Sequence, residues 1–195
     1  MIEVLPLNPI SQFSPLEFTI GPFNDRFIDT SSIRLYGQLC LRKVDATGKT
    51  SDTTEADDVS VISQFPLGCF KSLSVLLNDC ECMDLSQNAY PFKCYVDSMC
   101  SFDPMACPTV LSTQYFTKQT MGSETNNKLS STPSTDKSAF AVNRNFVIGK
   151  TCEFLCGTYC EMFNSQRLLI PGVQIKMKYL PSETEFPLLS VTGNR

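Results

Sequence analysis

The sequence predicts an all-β domain with one helix and long loops, a β-sandwich of jelly-roll kind. Three observations carry this reading. Several segments alternate apolar and polar residues with period two. One segment, Asn88 to Phe102, has helical spacing instead. The alternating segments are irregularly spaced and parted by long polar stretches, which favours a sandwich over a doubly wound α/β fold.

Residues 1–15 hold three prolines and no period, and read as an N-terminal arm to a jelly-roll domain over 16–195. Leu16 to Ile20 alternates and stops at Gly21-Pro22, a short strand. Phe27 to Val44 is the longest strand-like region. Ile33, Leu35, Gly37, Leu39 and Leu41 fall on one face, with polar tips on the other, as in a half-buried strand. Asp45 to Asp58 is acidic and nearly free of large apolar residues, a surface loop. Leu73 to Leu77 is an apolar strand, Asn78-Asp79 a turn, and Cys80 to Leu85 the returning arm of a hairpin.

Asn88 then suits an N-cap and Pro91 the first helical turn, where its missing N–H is harmless. Phe92, Tyr95, Val96 and Met99 follow at helical spacing. Asp103-Pro104 and Cys107-Pro108 end this helix. Ser112 to Ser138 is a polar excursion. A second β block opens at Phe146-Val147-Ile148 and runs through Thr151 to Phe163, with Cys152, Phe154, Cys156, Thr158, Cys160 and Met162 on one face. After a turn at Pro171-Gly172, Val173, Ile175, Met177 and Tyr179 oppose Gln174, Lys176 and Lys178. The two β blocks are expected to form facing sheets. Leu35, Leu39, Leu41, Val75, Leu77, Phe154, Val173, Ile175 and Met177 are their expected core.

Composition narrows the function. The net charge is −4, and no run of Lys and Arg stands out. A nucleic-acid groove or an anionic membrane site needs a clustered basic patch, so sequence-specific nucleic-acid binding is not expected. No stretch has the length of a membrane helix, so no membrane insertion is expected either. The chain has ten Cys, no apolar signal-peptide run near Met1 and no Asn-x-Ser/Thr sequon. These point to a reducing compartment, with most Cys as small buried thiols.

Candidate chemistry thins out on inspection. With no His, there is no Ser-His or Cys-His nucleophile pair and no imidazole metal ligand. Cys152, Cys156 and Cys160 would line one face of a helix and ligate zinc or an iron–sulfur cluster. On a strand they span roughly 27 Å, too far for one metal, and the local residues read as strand. Cys80-x-Cys82 and Cys94…Cys100 lack zinc-ribbon spacing. Gly48-Lys49-Thr50 and Gly149-Lys150-Thr151 have Lys43 and Arg144 where a phosphate loop needs its first Gly, so both are turns. Asp57-Asp58, Glu153/Glu161 and Glu183/Glu185 pair carboxylates, but in loops or on strand faces, and no Trp offers a sugar platform. No catalytic, cofactor-binding or metal-binding residue is therefore assigned, no cofactor is expected, and the chain is not read as an enzyme.

One string of segments resembles a known family. It runs from Leu16-Glu17-Phe18-Thr19-Ile20-Gly21 through Phe27-Ile28-Asp29-Thr30 to the Ile33–Val44 strand closing in Asp45-Ala46-Thr47-Gly48. Phe70 to Asn78 follows, then a helix entered through Asn88-Ala89-Tyr90-Pro91-Phe92, and late in the chain Arg167 to Leu180. This order is similar to the first jelly roll of the double jelly-roll major capsid (hexon) proteins of Polinton/Maverick and adintovirus kind. Those proteins carry two jelly rolls in a longer chain, whereas this one has room for one. The resemblance implies a viral capsid subunit in the virion, assembled inside the host cell. It implies trimeric capsomers, alongside other capsid proteins, in an icosahedral shell around double-stranded DNA. The alternative of another class is a non-viral β-sandwich binding module, lectin- or receptor-like, for which a disulfide framework would speak.

Overall fold

The computed structural model describes residues 2–9, 14–54, 57, 59–85, 89–118 and 139–189. Within them the chain is mostly β-strand in antiparallel sheets, with few helices. The strands are β1 (Leu16–Ile20), β2 (Arg34–Cys40), β3 (Arg42–Val44), β4 (Thr50–Asp52), β5 (Ser60–Val61), β6 (Phe70–Leu77), β7 (Cys80–Leu85), β8 (Thr151–Gly157), β9 (Ile175–Pro181) and β10 (Leu188–Leu189). The helices are α1 (Phe65–Gly68), α2 (Ala89–Ser101) and α3 (Ala139–Val147). Strands pair as a four-stranded sheet of order β1-β9-β6-β7 and as the two-stranded sheets β10-β5, β2-β8 and β3-β4. The chain divides into two compact units.

The first unit comprises Met1–Leu35, Leu67–Cys100 and Gly157–Thr184 and contains the four-stranded sheet. Register follows the period-two pattern. Tyr179 lies opposite Leu16 and Leu73, Met177 opposite Phe18 and Val75, and Ile175 opposite Ile20 and Leu77. Leu73, Val75, Ile175 and Tyr179 are at most 1% exposed, so this face is the unit's core. The intervening residues face the other way, where Lys178 pairs with Glu17 at 3.3 Å and Lys176 with Asp79. The β6–β7 hairpin closes on Asn78 and Asp79, both in the left-handed region (φ 46° and 65°). Two consecutive left-handed residues make the two-residue turn whose twist matches its strands.

α2 lies against the sheet's core face. Tyr90 is fully buried, its ring centroid 6.0 Å from that of Tyr179, and its hydroxyl donates to the Thr158 carbonyl at 3.2 Å. Tyr179 also meets Phe18 at 6.1 Å and Phe70 at 5.1 Å, so one side chain of β9 touches β1, β6 and α2.

The second unit comprises Tyr36–Pro66, Ser101–Cys156 and Glu185–Arg195. Its core is Val61, Phe65, Val147 and Cys152, with Leu39, Leu41 and Tyr115 among the residues packed around them. Gly37 on β2 is required by packing: a Cβ there would lie 2.7 Å from the ring of buried Phe154 on β8. α3 buries Ala141, Asn143, Arg144 and Val147 and ends where Gly149 turns left-handed (φ 59°).

β1, the β6–β7 hairpin, α2 and β9 stand where the sequence places them. Several expectations need correction. Phe146-Val147 closes helix α3 instead of opening a strand, so α2 is not the one helix. The 27–44 region is not one strand. Asp29 caps a 3₁₀ turn over Thr30–Ser32, its Oδ1 accepting from the Ser31 N–H at 3.0 Å, before β2 begins. The 45–58 loop holds the turn and second strand of the β3–β4 hairpin, the turn fixed by Asp45 Oδ1 accepting from Thr47 N and Lys49 N at 2.8 and 2.9 Å. The two β blocks do not form one sheet each, because β9 of the second block sits between β1 and β6 of the first. Of the expected core, Leu39, Leu41, Leu77 and Val173 are only half-buried. Asn88, Asp58 and the 119–138 part of the polar excursion lie outside the described residues.

Candidate functional site

Helix α2 carries an apolar stripe at helical spacing. Its apolar stripe is not its buried face. Tyr90, Pro91, Cys94 and Ser98 are buried, while Phe92 is 62% exposed, Tyr95 37%, Val96 55% and Met99 40%. The inward face is held by polar partners: Ser98 Oγ and Tyr159 Oη share a hydrogen bond of 2.7 Å, and Lys93 pairs with Asp97 at 2.8 Å and Glu161 at 3.2 Å. The stripe at positions i, i+3, i+4 and i+7 is the seam one helix offers to another surface. Here it faces outward, uncharged.

The first unit has a second exposed apolar surface. Ile28 and Leu169 form an isolated antiparallel bridge, with N–H···O distances of 3.1 and 2.8 Å. Alternation places Phe27, Leu168 and Ile170 on one face of this ladder, with the exposed Asp29 opposite Leu168 on that same face. The three apolar residues are 62%, 57% and 63% exposed. In the second unit, Tyr36 on β2 and Leu155 on β8 are also exposed, beside the Gln38–Glu153 hydrogen bond of 2.8 Å.

The residues weighed for chemistry take structural places. Cys152, Cys156 and Cys160 alternate inward from β8 and its continuation, as the strand reading expects, up to the 3₁₀ turn at Glu161–Asn164. That turn breaks the alternation, so Phe163 is buried where the pattern puts Met162. Burial pushes all three thiols up, Cys156 to about 12. Cys160 Sγ lies 3.0 Å from Met83 Sδ. All ten cysteines are free, with Cys40, Cys80, Cys82 and Cys100 exposed. Gly48 and Gly149 are both turn residues with positive φ, and Gly149 N–H donates to Thr53 Oγ1 at 3.3 Å.

Of the paired carboxylates weighed in the sequence, Asp57 is built into a hydrogen-bond network. It accepts from Thr54 N at 2.7 Å, Thr54 Oγ1 at 2.9 Å and Lys43 Nζ at 3.0 Å. The Thr54 amide, with help from the Lys43 ammonium, holds its carboxyl down to about 2. Glu153 and Glu161 are exposed, and so are Glu183 and Glu185. Sequence reasoning missed a buried polar network in the second unit. Gln64 Nε2 donates to Gln114 Oε1 at 3.3 Å, and Asn143 binds both Thr117 and the Val61 carbonyl. Only the helical phase of Asn143 on α3 could have signalled it. Among the described residues no three His, Cys, Asp or Glu gather to hold a metal ion, and no helix is long and apolar enough to cross a membrane. No family model, curated protein or solved structure matches the chain.

Proposed function

We propose that this chain is a structural subunit of a viral capsid, a jelly-roll module that self-associates into trimeric capsomers of an icosahedral double-stranded DNA virus or virus-like element. The observation that carries the reading is its strand pairing. A jelly roll is an antiparallel ribbon rolled up, so strands from early in the chain pair with strands from late in it. Here β1 pairs with β9 and β2 with β8, while the last strand, β10, pairs with β5. β9 also pairs with β6, so the late strand β9 lies between two early ones.

The surface supports the same reading. The chain places large apolar side chains outward on two elements of one unit, and such patches mark protein contacts in soluble domains. The motif string that resembles the capsid family supports the reading in sequence; its segments lie on β1, β2, β3, β6 and the start of α2, with Phe27–Thr30 outside the named strands. Ten free cysteines run against a disulfide-stapled binding module. Its role is therefore architectural, with the virion as its location. Negative-stain electron microscopy of the purified protein tests the reading. Discrete capsomer-sized oligomers or shells are expected. Dispersed monomers, with binding of a glycan or receptor ligand, would replace it with the binding-module reading.

A further inference from the structure

We infer that the arm before β1 is a strap over a strand-addition site: residues 2–9 occupy the outer edge of β1 and keep other extended segments off it. The four-stranded sheet ends in β7 on one side and in β1 on the other. An end strand carries a row of backbone N–H and C=O groups with which another extended chain can pair. β7 is blunted by its own backbone. Leu76 faces Glu81 and Val75 faces Met83, which leaves Cys82 as a bulge that bends this edge. β1 has no bulge, and its five residues pair with β9 in unbroken register.

What covers β1 is the chain's own arm. Leu7 N–H donates to the Glu17 carbonyl at 2.7 Å, and Asn8 Nδ2 donates to the Pro15 carbonyl at 3.5 Å. The Glu17 carbonyl therefore points away from β9. Backbone groups alternate sides along a strand, so Glu17 and Thr19 turn both N–H and C=O outward, while Leu16, Phe18 and Ile20 turn theirs to β9. Burial alternates along the arm too. Val4, Pro6 and Asn8 are half-buried, whereas Leu5, Leu7 and Pro9 are exposed. That is the period of an extended chain lying on a surface. Pro6 and Pro9 lack the N–H that a further strand would need, so the arm closes the edge without offering a new one. Joined to β1 through a short stretch of chain, it acts at about millimolar effective concentration, far above that of a micromolar neighbour. Among the described residues Thr19 has no backbone partner on its outward side, so the site extends beyond the bond that the strap makes.

The test lifts the strap in the full chain with the double variant Val4→Asp/Leu7→Pro, which removes a half-buried apolar contact and the donor to Glu17. Intermolecular β-sheet is followed by thioflavin T fluorescence and by the amide I infrared band. The variant should form it at protein concentrations roughly tenfold or more below those the unaltered chain needs. Leu5→Pro is the control: it adds a proline to the arm at an exposed position, leaves the Leu7 bond in place, and should behave as the unaltered chain does. Adding Thr19→Pro to the double variant should abolish the gain, because it removes an outward N–H and spares the pairing with β9. If Thr19→Pro loses its far-ultraviolet circular dichroism, Glu17→Pro repeats the step at the other outward position. No gain in the double variant overturns the inference. So does an equal gain in Leu5→Pro, or a gain that survives proline on β1. The inference does not depend on the capsid reading; sedimentation of the unaltered chain tests that reading separately, so either can fail alone.

Discussion

Replacing Tyr179 with Ala should be among the most damaging single changes to the first unit. The side chain is 1% exposed and sits at the junction of β1, β6, β9 and α2. Truncating a buried large aromatic residue to Ala costs about 3–5 kcal/mol. Three ring neighbours, Phe18 at 6.1 Å, Phe70 at 5.1 Å and Tyr90 at 6.0 Å, add edge and tilted contacts. Each such contact contributes about 0.5–1.5 kcal/mol beyond area, with overlap between them. A loss near 5 kcal/mol is expected, which approaches the whole stability of a typical domain. Urea unfolding followed by circular dichroism reads it directly. With a slope of about 2 kcal/mol per molar urea, the midpoint should fall by about 2.5 M. Phe92→Ala is the control. Phe92 is also aromatic and sits two residues beyond Tyr90 on α2, but it is 62% exposed, so its loss should stay within about 0.5 kcal/mol in the monomer. A Tyr179→Ala loss below about 1 kcal/mol, or a Phe92→Ala loss matching it, would mean that α2 turns its other face to the sheet.

Gly37→Ala should destabilise the second unit by about 1–3 kcal/mol, because the new Cβ would lie 2.7 Å from the buried Phe154 ring; an unchanged thermal midpoint would show that the ring yields freely. Asp57 has a folded-state pKa of about 2, below its ordinary value of 3.8, so its stabilisation is complete above about pH 4 and is lost as pH falls through 2. Asp57→Asn should therefore cost about 1 kcal/mol at neutral pH, with the deficit vanishing at the acid end of that window; a deficit independent of pH would refute the charge-based account. In pulsed alkylation of the native protein read by mass spectrometry, Cys40, Cys80, Cys82 and Cys100 should label first, and Cys94, Cys152, Cys156 and Cys160 only on unfolding. Early labelling of Cys156 would contradict its burial and its pKa of about 12.

The parts of the fold legible in sequence are those where one face is buried and the other wet. In β9, Ile175, Met177 and Tyr179 against Lys176 and Lys178 admit one register only, because a one-residue slip would put lysines into the core. The β6–β7 hairpin was equally readable, since Asn78-Asp79 tolerates left-handed backbone at both positions. α3 was not readable. Its Phe146-Val147 end has strand propensity, and Asn143 within it has a buried amide hydrogen-bonded across the unit to Thr117 and Val61. Such tertiary bonds leave no local period. The buried face of α2 is not legible for a related reason: Phe92, Tyr95, Val96 and Met99 are its most apolar row, yet Tyr90 packs on Tyr179 of the sheet, Ser98 bonds Tyr159, and Cys94 is buried with them. An apolar row that faces outward is legible as an amphipathic helix, but not as a surface, until the sheet beneath it is known. The 27–169 ladder was hidden because its strands lie far apart in sequence and meet at a single bridge.

Sedimentation velocity of the purified chain across concentration tests most directly whether this protein acts by association. The account predicts reversible self-association at micromolar concentration, with trimers as the main species and a dissociation constant corresponding to about 8 kcal/mol or more. A single monomeric species persisting to about 100 micromolar, with the fold intact by circular dichroism, would contradict it.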